Sequence, residues 1–443
     1  MSKDKGIFHS LRKMFSMASH VDIGEIARGL GKMSNAELFS VMHTIKAAAR
    51  ETKAPEIDGD FYQLFDMLTA EQQDIRLKVR EFMENEVRPI ANEYWLKAEF
   101  PMQLIPKIAE LDICGLTIKG YGCPGKEFLM EGIVALEMAR VDCSISTFLG
   151  VQSGLAMGSI AICGSEEQKQ KWLPPMRKLE KIGAFGLTEP EVGSAISGGM
   201  TMKAVRKGDK WILNGQKKWI GNSTFSDLTI IWAQDDEDQQ VKGFIVEKDN
   251  PGFRVEKQQD KMALRTVQNG IITLTDCEVA EEDRLQNANS FRDTAKVLRA
   301  TRAGVAWQAV GCALGAYEIA LAYANERKQF GKTISSFQLI QNHLVQMLSH
   351  LTAMQTMVFR LSQLQDQGQM SDEQASLAKV VCTQHTRAIV DKAREIFGGN
   401  GILIEYDIAR FVADAEAIYS YEGTKEINTL IVGRAITGKS AFL

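Results

Sequence analysis

The chain has 443 residues, 45% of them hydrophobic and 24% charged, with a formal net charge of −4. Those values belong to an ordinary globular protein of two or three domains, long enough to bury a core without disulfides or metals. With 36 Gly and 9 Pro it is neither collagen-like nor disordered, and its slightly acidic balance speaks against general nucleic-acid binding, which depends on a basic field.

The opening Met1-Ser2-Lys3-Asp4-Lys5 lacks the apolar run of a secretory signal. Residues 1–65 carry short helical patterns and a linker-like run, Lys53 to Gly59, and read as a helical extension. Residues 66–184 read as a helical domain. Thr69 is a candidate N-cap for an amphipathic segment reaching Val87, and Ser165-Glu166-Glu167-Gln168 starts another helix with a capping-box pattern. Residues 185–290 change character. Trp211–Leu213, Leu228–Trp232, Gly243–Val246 and Ile271–Leu274 are strand-like, separated by turn signals such as Lys207-Gly208-Asp209 and Asn250-Pro251-Gly252. They predict a middle antiparallel β domain, a barrel or sandwich. Residues 291–443 return to helices and read as a bundle. The fold class is therefore mainly α with an inserted β domain, and no Rossmann alternation of strand, Gly-rich turn and helix is present.

One stretch of that last block invites a second reading. Gly304 to Ala324 carries a single charge, Glu318, and contains Gly311-x-x-x-Gly315. It has the length of a membrane span. Only moderately apolar and without a second candidate, it is expected to be a buried central helix rather than a transmembrane segment.

The seven cysteines (Cys114, Cys123, Cys143, Cys163, Cys277, Cys312 and Cys382) show no CxxC spacing, which fits free thiols in a reducing compartment. The six histidines form no metal-ligand cluster, so no metal is expected, and no Gly-x-Ser-x-Gly elbow is present. Gly29-Leu30-Gly31-Lys32 reads as a turn. Gly398-Gly399-Asn400-Gly401 reads as either a ligand-contacting loop or a helix–helix turn with positive φ. Tyr421-Glu422-Gly423-Thr424 admits two readings as well, a desolvated general base or a helix N-terminus where Glu is common.

Five motifs taken together resemble the acyl-CoA dehydrogenase/oxidase flavoprotein family. They are Phe185-Gly-Leu-Thr-Glu-Pro-Glu-Val-Gly-Ser194, Trp219-Ile-Gly-Asn222, Glu326-Arg-Lys-Gln-Phe-Gly331, Ile396-Phe-Gly-Gly-Asn-Gly401 and Tyr421-Glu-Gly-Thr424. The resemblance runs through residues 66–443. Lys119-Gly-Tyr-Gly-Cys-Pro-Gly125, Trp219 to Phe225 and Val267-Gln-Asn-Gly270 place it near the branch of glutaryl-CoA dehydrogenase and the plant short-chain acyl-CoA oxidases.

The resemblance implies a helical domain, a β domain and a four-helix bundle, usually in a homotetramer (a homodimer is the other possibility). It implies FAD held by Phe185, Leu187, Thr188, Gly193, Ser194, Trp219, Ile220 and Gly221. Arg327, Gln329, Phe330, Phe337 and Gln338 would reach FAD across a subunit interface, the Arg327 guanidinium suiting a diphosphate. Glu395, Gly398, Gly399, Thr424 and Glu426 would complete the cofactor site. Ser194, Leu298, Arg299, Arg302 and Gly423 match positions near an acyl-CoA substrate.

Glu422 matches the catalytic base, which removes the α-proton while the β-hydrogen leaves as hydride to the flavin, giving a trans-2-enoyl-CoA; the Glu422 N–H and a flavin hydroxyl would stabilise the enolate-like oxygen. A second base position used by some relatives corresponds to Thr301, which cannot serve. Ala139 and Ser146 stand where glutaryl-CoA dehydrogenases have Glu and Arg, so a distal carboxylate is not expected. Gly221, Ala195 and Glu395 are further departures from the family pattern. The implied activity is α,β-dehydrogenation of a short- to medium-chain acyl-CoA, with an electron-transfer flavoprotein as acceptor. The rivals are an oxidase that uses O₂ and a non-catalytic flavoprotein or scaffold. The expected compartment is a bacterial-type cytoplasm; the end Ser440-Ala441-Phe442-Leu443 is not a peroxisomal tail, although mitochondrial and peroxisomal locations stay open.

Overall fold

The computed structural model describes Ser34, Ala36 and residues 59–441. The helical patterns before residue 59, most of the Lys53–Gly59 linker, the Gly29–Lys32 turn, His9, His20 and His43 lie outside the described residues. The described residues 59–441 lie in one compact unit.

Helix α1 (Ala70–Phe82) starts at the expected N-cap. The Thr69 hydroxyl accepts from the Gln72 N–H, and the Gln72 side-chain amide oxygen accepts from the Thr69 N–H. The helical pattern does reach Val87, but as two kinds of helix: a π turn, Met83–Val87, joins α1 to α2 (Arg88–Lys97). Pro89 in the first turn of α2 supplies no N–H and crowds the carbonyl four residues back, and the wider π turn absorbs both effects. Further on come α3 (Leu104–Glu110), α4 (Phe128–Ala139), α5 (Cys143–Leu149), a π turn at Gly150–Met157, α6 (Gly158–Cys163) and α7 (Glu166–Arg177). The Ser165–Gln168 capping box is present at the start of α7.

Seven strands form one curled sheet: β1 (Gly183–Gly186), β2 (Lys203–Lys207), β3 (Lys210–Ile220), β4 (Leu228–Asp235), β5 (Val241–Glu247), β6 (Phe253–Lys257) and β7 (Gly270–Ala280). Their order is β1-β4-β2-β3-β7-β6, with β5 on β4. Most pairs are antiparallel as expected. Two are not: β1 and β2 both pair with β4 in parallel, β1 along Leu228–Ile231 and β2 at Gln234 and Asp235. Both strands arrive through longer connections, so no hairpin dictates their direction. The β3–β7 ladder is irregular between Leu213 and Gly215 and again between Lys217 and Ile220. Such bulges bend a strand and re-aim its side chains. Trp219 sits in the second, at φ +67°, and is 53% exposed.

The last block is α8 (Phe291–Glu326), α9 (Gln338–Asp366), α10 (Asp372–Phe397), α11 (Ile408–Ser420) and α12 (Lys425–Thr437). Helix α8 is the expected buried centre. A side chain at Gly311 or Gly315 would strike the backbone oxygens of Leu136 and Arg140, so the Gly-x-x-x-Gly pair brings α8 against α4. A second run, Cys143–Cys163, is also long and apolar enough to cross a membrane. The sequence reading missed it because Gly150, Gly154 and Gly158 interrupt it. Both runs lie mostly inside the protein. All seven cysteines are free.

A charge network ties the first helices to α4 and α8. Buried Glu137 accepts from Arg76 at 3.1 Å, Arg80 at 2.9 Å and Arg140 at 3.2 Å, and Arg140 continues to Glu318 at 2.6 Å and to Glu84. Burial raises the Glu84 carboxyl, but the hydrogen bond from Arg88 and the charges of Arg140 and Arg88 together outweigh it and hold its pKa at about 2. A depressed carboxyl contributes stability above its ordinary pKa of 4.5, and that contribution is lost as pH falls through about 2. Glu84 is partly exposed, so the effect is modest. Glu84→Gln is expected to lower unfolding stability at pH 7 by about 1 kcal/mol. The gap in urea midpoints should close as pH drops towards 2.

Candidate active site

A cleft of about 1670 Å³ lies among β1, the bulge of β3, helices α4 and α5 with the π turn behind them, α8, and the loop between α11 and α12. Its most unusual wall is that loop. Glu422 has φ +54° and Gly423 φ +86°. A non-glycine residue in the left-handed region is uncommon and costs about 1 kcal/mol, so surrounding contacts must hold it there.

Those contacts are visible. Lys379 of α10 donates to the carbonyls of Gly423 at 2.7 Å and Tyr419 at 3.3 Å. The Asn428 amide donates to the carbonyls of Gly423 and Thr424. The Thr424 hydroxyl caps α12 by accepting from the Ile427 N–H. Beside the loop, the Tyr421 hydroxyl bonds Gln308, whose amide donates to the Cys143 carbonyl at 3.0 Å and the Thr147 hydroxyl at 2.8 Å. Glu422 is thus not in a helix N-terminus, which belongs to Thr424 and the residues after it.

The Glu422 carboxylate accepts from the Thr301 hydroxyl at 2.7 Å. Burial pushes its pKa upward, against the lowering effects of the Thr301 hydrogen bond and the charges of Arg302 and Lys379. Burial also lowers Lys379 to about 8, against the attraction of Glu422. A carboxylate that is desolvated but kept near two cations has the makings of a general base.

The opposite wall is equally constrained. Lys217 of β3 is fully buried and donates to Glu189 at 2.9 Å and to the Leu187 carbonyl at 2.9 Å. Glu189 also accepts the N–H groups of Thr201 at 2.7 Å and Met202 at 2.9 Å. The Thr188 carbonyl accepts from the Lys218 N–H at 2.8 Å, and the Trp219 carbonyl from the Asn269 amide at 3.0 Å. This fixes the Leu187–Thr188 backbone and leaves the Trp219 ring as a half-exposed aromatic wall.

The cleft gathers Phe185, Leu187, Thr188, Gly193, Ser194, Trp219, Ile220, Gly221, Leu298, Arg302, Glu422, Gly423 and Thr424. Arg299 stands outside its wall, exposed and paired with Asp372, which does line it. Arg327, Gln329, Phe330, Phe337, Gln338, Glu395, Gly398, Gly399 and Glu426 do not line this cleft either. All but half-buried Phe337 are exposed, and Phe330 is 92% exposed. Glu395 lies 3.4 Å from His343. The Gly398–Ile402 segment is a 3₁₀ turn with Gly398 at φ +59°, as a helix–helix turn requires. Of the two positions weighed for a distal carboxylate, Ser146 lines the cleft, whereas Ala139 is in the core against Gly311. Sequence reasoning missed Lys379, Gln308 and Glu131. They sit inside ordinary helical patterns, and only the fold turns them towards the cleft and its loop.

Three family models match the chain: the acyl-CoA dehydrogenase N-terminal domain over residues 69–197, the middle domain over 184–277 and the C-terminal domain over 291–437. A short-chain specific acyl-CoA dehydrogenase of Clostridium acetobutylicum is 35% identical over 374 residues, which is 83% of this chain and 98% of that one. A subunit of the caffeyl-CoA reductase–Etf complex of Acetobacterium woodii is 34% identical over 371 residues, covering 82% and 98%. The crystal structure of a glutaryl-CoA dehydrogenase from Mycobacterium smegmatis in complex with FADH2 superposes with a TM-score of 0.85 at 33% identity, covering 87% of this chain and 99% of that one.

Proposed function

The chain belongs to the acyl-CoA dehydrogenase family, and on that premise we propose that it converts an acyl-CoA thioester to its trans-2-enoyl-CoA, with Glu422 as the base. The cofactor is FAD, as in the family. The cleft fits it: Trp219 leaves an apolar ring half exposed, the face a stacked planar group would cover. Phe185, Leu187, Thr188, Gly193, Ser194, Ile220 and Gly221 would hold the same group from the β side, with Thr424 from the bundle side.

The observation that carries this reading is Glu422 itself, held in a strained turn by Lys379 and Asn428 and bonded by Thr301. The carboxylate takes the α-proton, breaking Cα–H and leaving the electron pair to spread onto the thioester oxygen. FAD, when bound, supplies the two-electron acceptor for the β-hydrogen. Thr301 orients the carboxylate, and Arg302 and Lys379 favour its ionised form. Ser194, Leu298 and Gly423 would line the path of the thioester.

Lys379→Met removes both a clamp on the loop and a nearby cation. Loss of a cation raises a carboxyl pKa. The acid limb of the kcat/KM profile should therefore move to higher pH, with kcat down about tenfold. A profile that does not move would show that Lys379 acts only in packing.

The exposed Arg327, Gln329, Phe330, Gln338, Glu395, Gly398, Gly399 and Glu426, with Phe337, would serve the cofactor of a second copy. A homo-oligomer, a tetramer in the family pattern, follows from that assignment. The acceptor we propose is an electron-transfer flavoprotein, in line with the relative from an Etf complex. An anaerobic screen for flavin bleaching over a panel of acyl-CoAs tests the reaction. Admission of air then tests the acceptor, because stoichiometric peroxide would identify an oxidase. A protein that takes up FAD but is bleached by no thioester would overturn the assignment.

A further inference from the structure

The cleft that holds Glu422 has a further wall that the reaction does not use. One face of α4 presents Glu131, Val134, Ala135 and Met138 to it at helical spacing. Gly150 and Gly304 line the same cleft, and an added side-chain carbon at either would meet nothing within 4 Å. Small residues thus leave open room in a cleft whose wall also carries a carboxyl group.

Glu131 differs from the other acids of the interior. Glu137 has three arginines, Glu189 has Lys217 and two N–H groups, and Asp142 has Arg410 and the N–H groups of Ser144 and Ile145. Among the described residues, no hydrogen bond or ion pair reaches the Glu131 side chain. Burial raises its pKa to about 7, and the nearby Asp366 adds to that. Asp366 is itself engaged, accepting from the Phe128 N–H at 2.6 Å. Glu131 is half-buried, so it is held away from bulk water without a partner yet is reachable from the cleft, and a ligand donor can relieve the cost of that burial.

We propose that this cleft selects acyl groups whose remote end carries a hydrogen-bond donor, a hydroxyl or an ammonium, received by Glu131. A remote carboxylate is disfavoured by the same two acids. This rests on the acyl-CoA reading above and names its substrate class.

The test compares three acyl-CoAs of equal length ending in methyl, hydroxyl or ammonium, using the FAD-loaded wild type, Glu131→Gln and Glu131→Leu. The wild type should favour one or both donor-ended substrates over the methyl one by about tenfold in kcat/KM, equivalent to about 1.4 kcal/mol. Glu131→Leu should reverse that order. Glu131→Gln should keep a preference for hydroxyl and lose any for ammonium. An unchanged flavin spectrum in the variants shows that the cleft has kept its shape. Equal discrimination in wild type and Glu131→Leu, or a wild-type preference for methyl, overturns the proposal while leaving Glu422 in place. Failure of all three thioesters to bleach wild-type flavin overturns the underlying reading and this one with it.

Discussion

Glu422→Gln is expected to take up FAD with a normal absorbance spectrum and to lose at least about a thousandfold in the rate of anaerobic bleaching by substrate. The amide has the size of the carboxyl and can still accept from Thr301 through its oxygen, so the loop at φ +54° has no new reason to open. What it lacks is basicity. The wild-type carboxyl is pushed upward by burial, so it binds a proton more readily than an exposed glutamate and is the stronger base when ionised. Stopped-flow bleaching under anaerobic conditions reads the chemical step without depending on the acceptor. Bleaching at the wild-type rate would mean that another group takes the proton, and the neutral Thr301 hydroxyl lacks the basicity for that role.

Legibility of the fold followed the range of the interactions. The N-cap at Thr69 and the capping box at Ser165–Gln168 are devices of at most four residues, readable from the string alone. The strands around Trp211, Leu228, Gly243 and Ile271 are marked by their own side chains and by the turns between them. The parallel arrival of β1 and β2 on β4 is set by long connections, and no local pattern records it. The π turn at Met83–Val87 follows from Pro89, a cue that helical periodicity hides. In the site, Glu422 stood out because a carboxylate beside Gly in an apolar loop is locally odd. Lys379 and Glu131 were invisible for the opposite reason. Each occupies an ordinary place in a helix, and its role depends on which distant segment packs against it. Ala139 makes the same point in reverse: its motif position placed it at the substrate, whereas the small-residue contact of α4 with α8 puts it in the core.

Lys217→Met should be the most damaging change on the β side, costing about 3–5 kcal/mol in urea unfolding, because it leaves Glu189 charged and buried without its cation. Part of the compensation remains, since Thr201 and Met202 still donate their N–H groups to Glu189. The Leu187 carbonyl, however, loses the Lys217 ammonium that donates to it, and Leu187 lies in the cleft wall beside Thr188. The defect should therefore appear twice, as lower stability and as weaker FAD retention by about tenfold on dilution. Burial already lowers Lys217 to about 8, which marks the site as one where charge is held at a cost and only because Glu189 faces it. Pairing Lys217→Met with Glu189→Gln separates the two effects. With no charge left unpaired, stability should recover by most of the lost amount, since a neutral amide can still accept from one of the two N–H groups. FAD retention should not recover, because the Leu187 carbonyl remains without its ammonium partner. If the double variant regains both together, Lys217 serves the sheet alone and does not shape the cofactor wall.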